Sequence, residues 1–192
     1  MEDLLPLTET EEAPGNIGSG RRWGVELEST LPLDAVGINN SRFDIQLYWQ
    51  DSTVVDPVTG ETRKLSSVGG NYFNRNSFAG DVDYQASVDF RQDLIKSRIA
   101  WGWIVAFNAN RKRYKVNELE IRDDGITLDF FTEKSGWLGL KYRLDLKNML
   151  DSPETRERII YSRFRDLSSL AQSEFRSYTQ GREIELSISG TF

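Results

Sequence analysis

The last twelve residues, Gly181-Arg-Glu-Ile-Glu-Leu-Ser-Ile-Ser-Gly-Thr-Phe192, constrain this chain more than any other stretch. Ile184, Leu186, Ile188 and Phe192 fall on one side of an extended strand, interrupted by Gly190. Glu183, Glu185, Ser187, Ser189 and Thr191 fall on the other. Successive side chains of a strand point to opposite faces, so this period means one apolar face and one polar face. Chain ends usually fray in water. A final strand aromatic makes sense where every strand edge is paired and aromatics sit at a lipid boundary, as in a closed membrane barrel.

The same period recurs along the chain. Trp23, Val25, Leu27 and Leu31 alternate with Arg22, Gly24, Glu26, Glu28 and Thr30. Phe43, Ile45, Leu47 and Trp49 alternate with Arg42, Asp44, Gln46, Tyr48 and Gln50. Val82, Tyr84, Ala86, Val88 and Phe90 make a third run, and Ile99, Trp101, Trp103, Val105 and Phe107 a fourth, where Ile104 breaks the polar face. A fifth, 126–132, puts Phe130 and Phe131 on opposite faces. Leu138, Leu140, Tyr142, Leu144 and Leu146 make a sixth, and the terminal strand is the seventh. Residues 1–19, punctuated by Pro6, Pro14, Gly15 and Gly18, read as the end of a preceding strand and a loop, with the barrel strands in 20–192. Segment 149–180 reads as an exposed loop, and 114–121 as a weak hairpin above the sheet.

Composition removes several classes of function. With no cysteine and no histidine among 192 residues, disulfides, thiolate chemistry, Ser-His pairs and His-bound metals are impossible. A formal charge of −6 argues against a nucleic-acid partner. Carboxylate pairs such as Glu118/Glu120 and Asp123/Asp124 read as turn and surface charge, so no catalytic residue, metal ligand or cofactor site is expected. No segment reaches the roughly 20 apolar residues of a membrane helix, and Met1-Glu-Asp-Leu-Leu-Pro6, short in apolar residues and opening with acids, does not read as a leader peptide.

Alternation by itself also fits a soluble sandwich or a lipocalin-like barrel with its apolar face inward, carrying an apolar ligand. Three features favour lipid. Connections alternate short and long: 32–41, 51–81, 92–97, 109–125, 134–136 and 149–180. Outer-membrane barrels have short turns at one rim and long loops at the other. Charges of both signs sit mid-strand on the polar face, as a wet lumen permits. Trp23, Trp49, Tyr84, Phe90, Tyr142 and Phe192 lie on apolar faces, several near strand ends, where interfacial girdles sit. Bacterial single-chain barrels use an even strand number, so seven strands read as the C-terminal part of a larger barrel.

Several stretches together resemble the C-terminal barrel of TonB-dependent receptors. They are Gly20-Arg-Arg-Trp-Gly-Val-Glu-Leu27, Thr30-Leu-Pro-Leu33, the segments 49–60 and 90–93, Leu144-Asp-Leu-Lys-Asn-Met-Leu-Asp151 and the terminal strand. Asn148-Met-Leu-Asp151 is similar to the Asn-Leu-X-Asp element after that family's penultimate strand. Gly181, Ile184, Leu186 and Phe192 stand where its outer-membrane insertion signal, read by the barrel assembly machinery, is found. The resemblance implies a 22-stranded transmembrane β-barrel in the outer membrane of a Gram-negative bacterium. It also implies a plug domain and uptake of a scarce ligand (a siderophore-metal chelate, cobalamin or a carbohydrate), energised by the TonB complex. The plug and most strands are not in this chain.

Two basic clusters are candidate ligand-facing loops: Arg111, Lys112, Arg113 and Lys115, and Arg156, Arg158, Arg163 and Arg165. Either would attract an anionic chelate. Arg111, Arg113, Arg156 and Arg158 are the named candidates. Tyr72, Phe73 and Phe78 are candidates for stacking on a ligand.

Overall fold

A computed structural model describes residues 1–66, 82–137 and 139–190. Tyr72, Phe73, Phe78 and Phe192 lie outside the described residues. The chain starts with β1 (Glu2–Pro6) and β2 (Glu12–Asn16), then the long strands β3 (Gly20–Pro32) and β4 (Ser41–Val55), and the short β5 (Thr62–Arg63). Next are β6 (Tyr84–Leu94), β7 (Ile99–Asn108), β8 (Arg111–Tyr114) and β9 (Glu118–Asp123). β10 (Ile126–Trp137), β11 (Leu140–Lys147), β12 (Glu154–Tyr161), β13 (Leu170–Tyr178) and β14 (Glu183–Ser189) complete it. A single 3-10 turn, Asp34–Val36, is the helical content of the described residues, and none of their helices is long and apolar enough to cross a membrane.

The seven expected strands form one antiparallel sheet in the order β3-β4-β6-β7-β10-β11-β14, with β5 beside β4. Each main strand lies beside the next main strand of the chain, so the sheet is a meander. Its register lines up the apolar residues. One row crosses all seven strands: Leu31, Phe43, Phe90, Trp103, Phe130, Leu146 and Ile184. A parallel row joins Leu27, Leu47, Ala86, Phe107 and Ile126. A slip by one residue would turn each such row to the other face, so the pattern pins the register. Phe90 stacks on Trp103 at 5.9 Å and meets Trp101 edge-on at 5.2 Å. Trp23 and Trp49 pack at 4.7 Å. Such pairs contribute about 0.5–1.5 kcal/mol each beyond area burial.

This apolar face is not a core. Val25 is 57% exposed, Leu27 50% and Leu186 66%. Phe90 and Ala86 are the members of these rows that are buried, and the other buried apolar side chains, such as Leu4, Val54 and Val116, are nearly matched in number by buried polar ones, among them Asp3, Asp56, Glu118, Glu120, Glu133 and Arg165. Such a balance departs from the usual order of inside and outside, and leaves a contiguous apolar surface far beyond scattered single residues. The opposite face is charged. Glu133 lies 2.8 Å from Arg91 and 2.7 Å from Lys141. Phe131, the aromatic on the polar side, lies under Arg91 and Arg143, whose guanidinium carbons stand 5.6 and 4.6 Å from its ring centre. Its misfit to the alternation therefore has a cation–π cause. Ile104 sits on the same face between Asp89 and Asp129, and no contact among the described residues explains it.

Among the described residues the sheet does not close, and β3 and β14 are its edges. Three expectations change. Residues 1–19 form their own antiparallel hairpin rather than a strand end and loop; Pro14 pairs with Leu4 in a two-stranded ribbon, where a missing N–H is tolerated. The expected turn at 134–136 lies inside β10. Gly136, at φ 102°, takes up a bulge there and pairing with β11 resumes at Trp137. The expected loop 149–180 contains β12 and β13. They join the β8–β9 hairpin in a second antiparallel sheet, β13-β12-β9-β8. That order repeats β14-β11-β10-β7, because each of these strands adjoins its main-sheet strand along the chain.

Candidate anion-binding face

β9, β12 and β13 alternate too, but their even residues at 118–122, 154–158 and 174–176 are charged rather than apolar. Pairing puts Arg111 opposite Arg122, Arg122 opposite Arg156, and Arg156 opposite Arg176. Four arginines thus form one row across four strands. The adjacent row is Arg113, Glu120, Arg158 and Glu174. Lys112, Tyr114, Leu119, Ile121, Ile159 and Phe175 occupy the other face by the same register.

Like charges directly opposite each other across strands are destabilising. Glu120 offsets this at the centre of the face. Its side chain is 1% exposed and accepts from Arg122 Nε at 2.5 Å and Arg156 Nη2 at 2.7 Å, with Lys115 Nζ at 3.5 Å. Burial alone would push this carboxyl up. The hydrogen bonds from Arg156 and Arg122 and the charges of Arg122 and Lys115 outweigh it and hold the pKa at about 2. Glu118 is buried too, but hydrogen bonds from Arg158, at 2.6 Å, and from Lys115, at 2.9 Å, hold it below the usual carboxylate range. Glu174 pairs with Arg158 and Arg176, and Asp124 pairs with Arg111. Six cations (Arg111, Lys115, Arg122, Arg156, Arg158 and Arg176) thus share four carboxylates, while Glu154, a fifth carboxylate on this side of β12, accepts from Tyr178 and Gln180. Among the described residues Arg113 has no ion pair. The Nε atoms of Arg111, Arg113 and Arg156 are shielded from solvent without a hydrogen-bond acceptor.

The four named candidates, Arg111, Arg113, Arg156 and Arg158, therefore come together on one face. Lys115 joins them through Glu118 and Glu120, while the other three members of the two basic clusters disperse. Lys112 projects from the opposite face. Arg163 is exposed, 3.5 Å from Glu9. Arg165 is buried and structural: Nη2 lies 2.5 Å from Asp56 and Nε donates to the Lys115 carbonyl at 3.1 Å. Asp56 also accepts from Arg63, which reaches Asp3 of β1 at 2.8 Å. Tyr114 lies beneath both guanidiniums, at 4.6 Å from Arg63 and 5.2 Å from Arg165. This buried ionic knot ties the N-terminal hairpin to the second sheet. Residues 3, 56, 63 and 165 are too far apart in sequence for any local signal to expose it. Arg122 and Arg176 also belong to the face, although their residue types and neighbours read as ordinary surface charge.

Asn148-Met-Leu-Asp151 is a clip. Asn148 and Asp151 both adopt left-handed conformations, φ 53° and 48°, which these side chains tolerate best after glycine. Asn148 Nδ2 donates to the Gly181 carbonyl at 2.9 Å, and the Gly181 N–H donates to Asp151 Oδ1 at 3.1 Å. The Asn148 N–H reaches Asp129 Oδ1 at 2.8 Å. Gly181, at φ 85°, is thereby fixed just before β14. Ile184 and Leu186 then project from the exposed apolar face of that edge strand. Removing either clip side chain (Asn148→Ala or Asp151→Ala) is expected to cost about 1–2 kcal/mol, from lost hydrogen bonds and left-handed strain. Faster exchange of β14 amides, with β4 unchanged, checks this; equal protection throughout would refute it.

A cleft of about 480 Å³ lies beside the clip, where the two sheets meet, lined by Asp124, Asp129, Lys147, Glu154, Arg182 and Glu183 among others. Its carboxylates outnumber its cations, so it disfavours an anion. Among the described residues no group of three or more His, Cys, Asp or Glu is placed to hold a metal. The chain has no significant match to a family model, a curated protein or a solved structure.

Proposed function

We propose that this chain is the C-terminal part of an outer-membrane β-barrel receptor of the TonB-dependent type. In that reading the main sheet sits in the outer membrane, inserted by the barrel assembly machinery. The second sheet rises above the lipid, and the missing strands and plug complete the transporter and its link to the TonB complex. The whole receptor takes up a scarce ligand: a metal chelate, cobalamin or a carbohydrate. One observation carries the reading. The apolar row from Leu31 to Ile184 crosses seven strands on a largely exposed or half-exposed face, with Phe90 its buried member, and behind it lies a charged face. Lipid is the solvent that makes such an arrangement stable, because alternate residues face hydrocarbon and a polar lumen. The long connections 109–125 and 149–180, which fold into a second sheet prolonging the same strands, support it further.

The absence of cysteine makes the test clean. Spin labels at Val88→Cys and Val105→Cys report the apolar face, and at Ser87→Cys and Ala106→Cys the opposite face. In liposomes, oxygen is expected to relax the first pair most and a water-soluble nickel chelate the second. A monomer in detergent-free buffer, with positions 88 and 105 closed to both agents, would replace this reading with a lipocalin-like carrier.

A further inference from the structure

We propose that the row Arg111, Arg122, Arg156 and Arg176 is a binding site for a linear polyanion bearing phosphate groups. This deepens the receptor reading by giving the second sheet a ligand class, but it stands on its own geometry. Adjacent strands are about 4.8 Å apart, so four arginines in register spread positive charge over roughly 14 Å in a line. A compact chelate would engage two of them; a chain of phosphates engages all four.

The row is under-neutralised. Glu120 bonds Arg122 through Nε alone and Arg156 through Nη2 alone, which leaves other donors of each planar fork uncommitted. Arg176 meets Glu174 through Nε, and Arg111 meets Asp124 through Nη2. Arg113, next to the row, has no ion pair among the described residues. Guanidinium forks match phosphate oxygens in bidentate fashion, and a phosphate bridging two opposed arginines removes the repulsion between them. Glu118, Glu120 and Glu174 do not compete for the ligand. They hold Arg158 and the inner forks in place and so preorganise the face. The shared chemistry is the phosphate, carried either by a membrane glycolipid headgroup or by a soluble solute.

The full chain in detergent micelles is titrated with inorganic tripolyphosphate and orthophosphate, and separately captured on nanodiscs of zwitterionic or phosphate-rich anionic lipid. Tripolyphosphate is expected to bind well above orthophosphate. Arg111→Gln and Arg176→Gln, whose side chains are the outer members of the row, are each expected to weaken it about tenfold. Arg163→Gln, off the row, leaves it unchanged. Tripolyphosphate binding alone assigns a soluble ligand, and added preference for anionic nanodiscs that fails in the same variants assigns a headgroup. No tripolyphosphate binding, or binding unaffected by both row variants, overturns the proposal. Hydrogen exchange on each variant confirms that the second sheet is folded. A detergent-free monomer that still binds tripolyphosphate through these arginines would sink the receptor reading and keep this one.

Discussion

Replacing Glu120 with alanine is expected to cost the four-stranded sheet about 3–5 kcal/mol, the usual penalty for removing one partner of a buried ionic network. Arg122, Arg156 and Lys115 would face each other across adjacent strands with their shared carboxylate gone. The loss is local, because the main sheet is held by its own register. Amides of β8, β9, β12 and β13 should exchange faster, and those of β4 and β6 should not. Glu120→Gln keeps the shape and loses the charge, so it should fall between.

The same residue makes stability depend on pH, with a definite sign. The folded pKa, about 2, lies below the ordinary value of 4.5. A depressed carboxylate stabilises the fold above its unfolded pKa, and that stability drains away as pH falls toward the folded pKa. The window is therefore about pH 5 down to 2, and the shift corresponds to about 3 kcal/mol. Protection of the second sheet should decline across this window in the native chain. Glu118, shifted in the same direction, adds to the decline. In Glu120→Gln the decline should shrink to the part that Glu118 and Glu174, both held low by their arginine partners, supply. A native profile flat from pH 5 to 2 would show that Glu120 does not bear this load.

The second large effect belongs to Gly102, at the middle of β7. A Cβ there would run into the Phe90 carbonyl oxygen and come within 2.6 Å of the Phe131 ring. The first neighbour is backbone and cannot yield cheaply. The second is the ring clasped by Arg91 and Arg143. Gly102→Ala is expected to shift the β6–β7 pairing and cost about 3 kcal/mol, at the upper end for overpacking. Shortening the neighbour as well, in Gly102→Ala with Phe131→Ala, should relieve only the ring clash, so the double variant stays well below wild type. Thermal unfolding of both variants decides this; a Gly102→Ala midpoint equal to wild type would refute the steric account.

Much of the main sheet is legible in the amino-acid sequence. Period-two alternation needs no tertiary context, since it follows from the pleat of a single strand, and it locates all seven main strands and their two faces. The motif at 148–151 is also legible as a chain reversal. Its purpose is not, because Asp129 and Gly181, which it clamps, come from other parts of the chain. Strand ends are less legible. Gly136 looks like a turn and is a bulge, since glycine at positive φ serves both and only cross-strand pairing chooses.

The candidate site divides the same way. Residue types alone mark Arg111, Arg113, Arg156 and Arg158 as surplus positive charge. Only register shows that they share a face, and that Arg122 and Arg176 complete a row with Arg111 and Arg156. Arg165 sits in the same basic cluster yet lies buried against Asp56, 109 positions away in sequence. Alternation is a local property of consecutive residues, so the sequence by itself determined the strands and their two faces. Which charges meet across strands is a property of long-range pairing, so only the tertiary structure decided where the arginines gather, what neutralises them and which of them remain available.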